Sequence, residues 1–226
     1  MGTLNIINRE TLIFSDRIQA GRMLADSLSR LNNPQDMLVL GIPRGGVVLA
    51  HQIARGTGGS LDVVLTRKLG APYNPELAIG AISENGNLYL NDELISSLRV
   101  NSEYIKQIRQ EQLAEIAARH KLYRNVLDKV SLEGKTVILT DDGIATGATM
   151  QASIWAAKAE KPKKIILAVP VASLESVRKL ALEVDETICL STPPVFYAIG
   201  QFYREFDQVS DKQVLEILGK YKTKGS

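Results

Sequence analysis

Apolar positions along the chain fall in short blocks whose spacing alternates between the period of a helix and the unbroken run of a strand covered on both faces. Ile18, Leu24, Leu28 and Leu31 recur at helical spacing, which predicts a helix capped by Ser15 and stopped at Asn32-Asn33-Pro34. Residues 37–42 are apolar throughout and predict a buried strand; after Pro43-Arg44-Gly45-Gly46, residues 47–55 return to helical spacing. A second strand is expected over 61–68, then a loop kept non-helical by Pro72 and Pro75, then a hairpin turning at Asn85-Gly86. Residues 91–128 hold neither Gly nor Pro, which predicts a long helical insertion with Ile105, Ile108, Ile116, Tyr123 and Leu127 along one face, interrupted at Gln112.

The rhythm then resumes with strands over 135–140, 163–171 and 186–190 and helices over 150–160 and 174–183. A break at Pro193-Pro194 leads into an aromatic tail and a last helix capped by Ser210 and closed at Gly219. The fold class expected is α/β: an open, mostly parallel sheet flanked by helices. One domain is expected over 1–226, with the helical insertion at about 91–128 and a small aromatic hood at about 191–209.

Composition changes the picture by exclusion. Apolar residues at 45% and charged residues at 23% exclude disordered and fibrous classes. Lys and Arg total 27 against 25 Asp and Glu, a net +2 that recruits neither nucleic acid nor an anionic membrane, so any anion site must be local. Cys189 is the single cysteine, which rules out an intrachain disulfide and fits a reducing, cytoplasmic setting. No apolar run approaches the roughly 18 residues that cross a bilayer, and the opening residues lack a secretory leader pattern.

Residues 137–150, VILTDDGIATGATM, put two acids at the end of a buried strand and a small-residue turn directly before a helix. Ligands of open parallel sheets sit beyond the carboxyl ends of the strands, where amides at a helix start cradle phosphate oxygens. Gly147, with Ala145 and Ala148, lets the backbone approach an anion, and Thr146 and Thr149 add hydroxyl donors. Asp141 and Asp142 can accept from vicinal hydroxyls, so the pattern specifies a sugar carrying a phosphate rather than bare phosphate. The structural alternative is an Asp-Asp-Gly turn and a helix capped by Thr146. A nucleoside-triphosphate loop is excluded, because no lysine follows Gly147. The glycine cluster from Gly56 has Leu61 where a dinucleotide fingerprint needs glycine, and reads as a linker. His51 and His120 read as surface or packing residues, and Arg119, His120, Lys121 and Arg124 as cations favoured near a helix carboxyl end.

The same segment resembles the 5-phosphoribosyl 1-pyrophosphate (PRPP) motif of type I phosphoribosyltransferases. Residues 40–54, LGIPRGGVVLAHQIA, are similar to that family's pyrophosphate loop and following helix, and residues 67–72, RKLGAP, occupy the place of its mobile loop. The resemblance spans about 37–207 and is nearest to members whose acceptor is unassigned. By position it implies that Asp141 and Asp142 hold the ribose hydroxyls and that Ala145, Thr146, Gly147, Ala148 and Thr149 bind the 5-phosphate. It further implies that Arg44, Gly45 and Gly46 bind pyrophosphate, a role that Arg44's planar donor fork and the bare glycine amides suit. Arg67 and Lys68 either join that site or form the solvated end of a strand, and a segment at about 68–76 would close over the ligand. The implied catalytic set is Asp141, Asp142, Arg44 and Lys68.

Thr140 and Gly143 depart from the family pattern, and Ala145 stands where hypoxanthine and guanine enzymes place an acid; adenine-type and xanthine-type members tolerate alanine there. Residues 193–207 resemble the acceptor hood, in which Phe196 or Tyr197 would stack on a base or pack in the core. The resemblance thus implies PRPP-dependent transfer to a nitrogenous acceptor, a nucleobase in purine salvage, by a homodimer. Mg2+ is implied as cofactor, carried by PRPP near Asp141 and Asp142 without a direct protein ligand. The rival reading is a non-catalytic PRPP or nucleotide sensor on the same fold. A phosphohydrolase ranks last, because no seryl or cysteinyl nucleophile motif is visible.

Overall fold

Segments without a polar face can be hidden only between two layers, and here they form the centre of a parallel sheet. The computed structural model describes residues 2–31 and 34–222; Asn32 and Asn33, expected to help stop the first helix, lie outside the described residues. In chain order the elements are β1 (Thr3–Asn8), α1 (Arg17–Ser27), β2 (Met37–Gly41), α2 (Gly45–Thr57), β3 (Ser60–Val63), β4 (Thr66–Ala71), β5 (Asn74–Ser83), β6 (Leu88–Leu90), α3 (Asp92–Ser97), α4 (Ser102–Arg124), β7 (Thr136–Thr140), α5 (Ala148–Ala159), β8 (Lys164–Val171), α6 (Leu174–Ala181), β9 (Glu186–Ser191) and α7 (Asp211–Leu218).

Six strands lie side by side in the order β1-β9-β8-β7-β2-β3, every pair parallel. This is the expected α/β class. Alternate residues serve opposite faces: Val39, Ile138, Ile166 and Ile188 pack beneath α1 and α2, whereas Leu40, Leu139, Leu167 and Cys189 meet α5 and α6. From β2 the chain goes outward to β3, and from β7 it goes outward the other way through β8 and β9. The strand order therefore reverses between β2 and β7, where Gly41 pairs with Thr140. A crevice opens at such a switch point.

Several boundaries differ from the sequence expectation. β1 was not predicted: its residues alternate between exposed and half-buried, and Ile7 is exposed, so this edge strand lacks an apolar block. The strand expected over 61–68 divides into β3 of the main sheet and β4 of a second, antiparallel sheet ordered β4-β5-β6. The loop expected beyond it, including the segment at about 68–76 assigned to closure, is a β4–β5 hairpin with a register shift at Gly70. The Asn85-Gly86 turn is present, with Gly86 at φ +77°.

The long insertion is two helices rather than one. Arg99 takes a left-handed conformation at φ +52°, and Asn101 restarts the chain by accepting from the Tyr104 amide at 2.8 Å. Ile116 and Tyr123 are buried on α4, as is Leu127 just beyond it. α1 is capped by Asp16, which accepts from the Gln19 amide at 2.7 Å, and not by Ser15. Ser210 caps α7 as expected, but Gly219 stays right-handed and the chain runs on into a short 3-10 turn. The hood holds a 3-10 turn at Ile199–Phe202 and no strand. Among the described residues no helix is long and apolar enough to cross a membrane.

Candidate functional site

Helix starts leave amides that need acceptors. Among the described residues, α1, α3, α4, α6 and α7 satisfy one with a side chain, from Asp16, Asn91, Asn101, Ser173 and Ser210. At α2 and α5 the N-cap residues, Arg44 and Gly147, make no side-chain cap bond, although the Gly46 amide of α2 faces the Asp141 carboxyl. Thr146 is therefore no cap, against the structural alternative drawn from the sequence. These two helices follow β2 and β7, neighbours across the switch point, so two amide cradles open side by side. Gly147 sits at φ +81°, a conformation that glycine adopts without steric cost. The carbonyl of Ala145 accepts from the hydroxyls of Ser173 at 3.0 Å and Ser176 at 2.6 Å, which ties the turn to the start of α6.

Asp141 and Asp142 lie between the cradles, and the glycines of the first turn press against them. A Cβ on Gly45 would come within 2.1 Å of Asp142 Oδ2, and one on Gly46 within 2.7 Å of the Thr140 carbonyl and 3.0 Å of Asp141 Cα. Asp141 Oδ1 accepts from the Asp142 amide at 2.9 Å. Burial, then the adjacent Asp142 charge, hold the Asp141 carboxyl well above its ordinary pKa, opposed by the Asp142 amide, Arg17 and the Gly46 amide. Burial also raises Asp142, with Arg17 opposing.

Arg17, Tyr203 and Phe206 were not singled out in the sequence. Arg17 opens α1, and its Nε and Nη2 each lie 3.0 Å from Asp142 Oδ2. Tyr203 donates its hydroxyl to the Asp142 carbonyl at 2.6 Å. Partners 125 and 61 residues away leave no local trace in the sequence.

Of the predicted pyrophosphate residues, Arg67 and Lys68 share a cavity that Arg44, Gly45 and Gly46 do not line. Arg67, Lys68 and Arg119 line a cavity of about 260 Å³ with Pro43 and Thr149. Arg119 reaches this cavity from the C-terminal part of α4. Arg67 pairs with Glu115 at 2.6 Å, and Arg44 lies 3.8 Å from Asp211, which also accepts from the Tyr123 hydroxyl. In the hood, Phe196 packs on Phe202 with ring centroids 4.9 Å apart, whereas Tyr197 is 87% exposed. The departure at Gly143 has a steric reason: a Cβ there would come within 2.8 Å of Ile199. Thr140 is buried, and its hydroxyl has no hydrogen-bond partner among the described residues; the structure offers no account of it.

The fold is thus an α/β parallel sheet with paired carboxylates between two helix starts whose N-cap residues make no side-chain cap bond. Residues 15–206 match the phosphoribosyl transferase domain family, and the chain belongs to it. Two Mycobacterium tuberculosis proteins, from strains CDC 1551 and H37Rv, each named "Putative phosphoribosyl transferase", are 41% identical over 208 residues, covering 92% of this chain and 47% of theirs. The chain thus spans about half the length of the curated relatives it matches. The crystal structure of TT1426 from Thermus thermophilus superposes with a TM-score of 0.88 at 41% identity, covering 94% of this chain and all of that one.

Proposed function

We propose that the protein transfers the phosphoribosyl group of PRPP to a nitrogenous acceptor, a nucleobase, and releases pyrophosphate. The observation that supports this most is that α2 and α5, the helices whose N-cap residues make no side-chain cap bond, begin at adjacent strand ends with two carboxylates between them. Two anion cradles flanking a pair of hydroxyl acceptors match a ribose phosphorylated at one end and pyrophosphorylated at the other.

In this reading the amides and hydroxyls of Ala145, Thr146, Gly147, Ala148 and Thr149 take the 5-phosphate. The Gly45 and Gly46 amides and Arg44 take the pyrophosphate, with Arg67, Lys68 and Arg119 as a cationic wall. The acceptor nitrogen forms a bond to the anomeric carbon while the bond from that carbon to pyrophosphate breaks. The electron pair leaves with pyrophosphate, and the nitrogen gives up its proton to water. Arg44 and Lys68 stabilise charge on the leaving group, and Asp141 and Asp142 hold the sugar while positive charge develops on it.

Among the described residues no three His, Cys, Asp or Glu side chains group around a metal position. Asp141 and Asp142 offer hard carboxylate oxygens, a donor set that fits Mg2+ arriving on PRPP. When bound there, Mg2+ supplies charge neutralisation for the pyrophosphate. Ala145, with no acid side chain, suits an adenine-type or xanthine-type acceptor, and Tyr197 is the aromatic left exposed to stack on it. Cytoplasmic purine salvage by a homodimer is the setting this reading implies.

The test is pyrophosphate release from PRPP and Mg2+ with a panel of nucleobases. Asp142→Asn and Arg44→Ala should each lower kcat/KM by about 2 to 4 kcal/mol in transition-state terms; full activity in both variants would overturn the assignment. A PRPP sensor without turnover is the second reading, favoured by the ion pairs that already engage Arg44 and Arg67. PRPP binding with no pyrophosphate release under any base would select it.

A further inference from the structure

This inference rests on the reading of Asp141 and Asp142 as the ribose carboxylates. Arg17 is only 11% exposed at its side chain although it belongs to the first turn of a helix, where arginine ordinarily reaches solvent. Its guanidinium is held on three sides. It contacts Asp142 Oδ2 twice at 3.0 Å, donates from Nη1 to the Asp207 carbonyl at 2.8 Å, and lies 3.9 Å over the centre of the Phe206 ring. The tail is pinned in turn: Arg204 and Glu205 amides donate to the carbonyls of Phe14 and Ser15 at 2.9 Å, and Tyr203 stacks on Phe206. Chain segments from both ends therefore form a clamp on a single carboxylate.

The charged and titratable groups facing Asp142 are Arg17 from α1, Asp141 beside it and Tyr203 from the tail, with Gly45 against Oδ2. Both 3.0 Å contacts from Arg17 fall on Oδ2, and the Asp142 amide also serves this carboxylate. We infer that Arg17 is a positioning residue that makes the site selective for ribosyl over deoxyribosyl phosphates, by holding Asp142 with Oδ1 directed to a sugar hydroxyl. A carboxylate fixed before the ligand arrives does not have to be ordered by it. Against a sugar lacking that hydroxyl, the same fixed oxygen loses its donor and cannot turn away to find another.

The experiment titrates ribose 5-phosphate, its 2-deoxy and 3-deoxy forms, and inorganic phosphate into the full chain, as wild type, Arg17→Gln and Arg17→Lys, by calorimetry. Wild type should favour ribose 5-phosphate over at least one deoxy form by about tenfold. Arg17→Gln should erase that preference while its affinity for inorganic phosphate holds, and Arg17→Lys should restore part of the preference. An unchanged ribo-to-deoxy ratio in Arg17→Gln, or equal weakening of all four probes, would overturn the inference and leave the carboxylate reading standing. Wild type that does not bind ribose 5-phosphate would overturn both. If thermal denaturation shows Arg17→Gln unfolded, Phe206→Leu decides: it removes the ring under the guanidinium, and a full ribosyl preference there would overturn the inference.

Discussion

Two pairs of carboxylates, one buried and one half-buried, each served by one arginine, differ in how completely their oxygens are used. At the junction of β3, α4 and the β5–β6 turn, Arg124 grips Glu84 with Nε and Nη2 at 2.8 and 2.7 Å and Asp62 with Nη1 at 2.6 Å. Asp62 also accepts from the amides of Val63 at 2.7 Å and Val130 at 3.0 Å, so all four oxygens have partners. At the switch point, Arg17 makes its two 3.0 Å contacts to Oδ2 of Asp142, and Asp141 leans on backbone amides. The first arrangement is closed and ties the second sheet to the first. The second keeps hydrogen-bonding capacity beside two amide cradles, and a ligand can complete it. Satisfaction of oxygens, together with fuller burial, separates the lock from the site.

The largest effect should come from opening the lock. Arg124→Leu strands two carboxylates that are 1% and 4% exposed, a loss of about 3 to 5 kcal/mol read from urea midpoints. A loss below about 1 kcal/mol would erase the distinction. Next, Asp142→Asn should cut kcat/KM by about 2 to 4 kcal/mol while the melting temperature holds; a large drop in melting temperature would make this pair a lock as well.

Gly46→Ala and Gly45→Ala sharpen the contrast further. The added methyl on Gly46 meets backbone, the Thr140 carbonyl at 2.7 Å, and should cost about 1 to 3 kcal/mol of stability. The methyl on Gly45 meets side-chain atoms, the Asp142 carboxylate and Arg17 Nε, and by forcing that clamped pair out of place it should weaken PRPP binding by about tenfold, with a smaller stability loss than Gly46→Ala.

Asp141→Asn supplies a pH signature. Because the folded pKa of Asp141 is raised above its unfolded value, the native state favours the protonated acid. That contribution is present below about pH 4 and is lost as pH rises through the folded pKa. The amide variant should therefore gain stability over wild type at neutral pH and show no gain near pH 3, as followed by denaturant melts. The smallest effect belongs to Tyr197→Ala: the exposed ring should leave stability within about 0.5 kcal/mol, while a rise in acceptor KM would mark it as the stacking aromatic.

Much of this comparison was legible along the chain. The cradles were, because Pro43-Arg44-Gly45-Gly46 and residues 141–149 each place small residues between an apolar run and a helical one. Arg124 was not: near a helix end it reads as a solvated cation, and its partners lie 62 and 40 residues away. The second sheet was hidden for a related reason, since residues 61–68 look like one strand until Val64-Leu65 carries the chain from one sheet to the other.

Local pattern alone determined most of the alternation of strands and helices, the parallel class of the main sheet and the two small-residue turns before α2 and α5, because period, capping and glycine content act over a few residues. Tertiary structure decided which cations face which acids, where the tail lies and which oxygen of Asp142 is spoken for. Those depend on Arg17 and Phe206 meeting across almost the whole chain, and no spacing in one dimension encodes a contact made by folding in three.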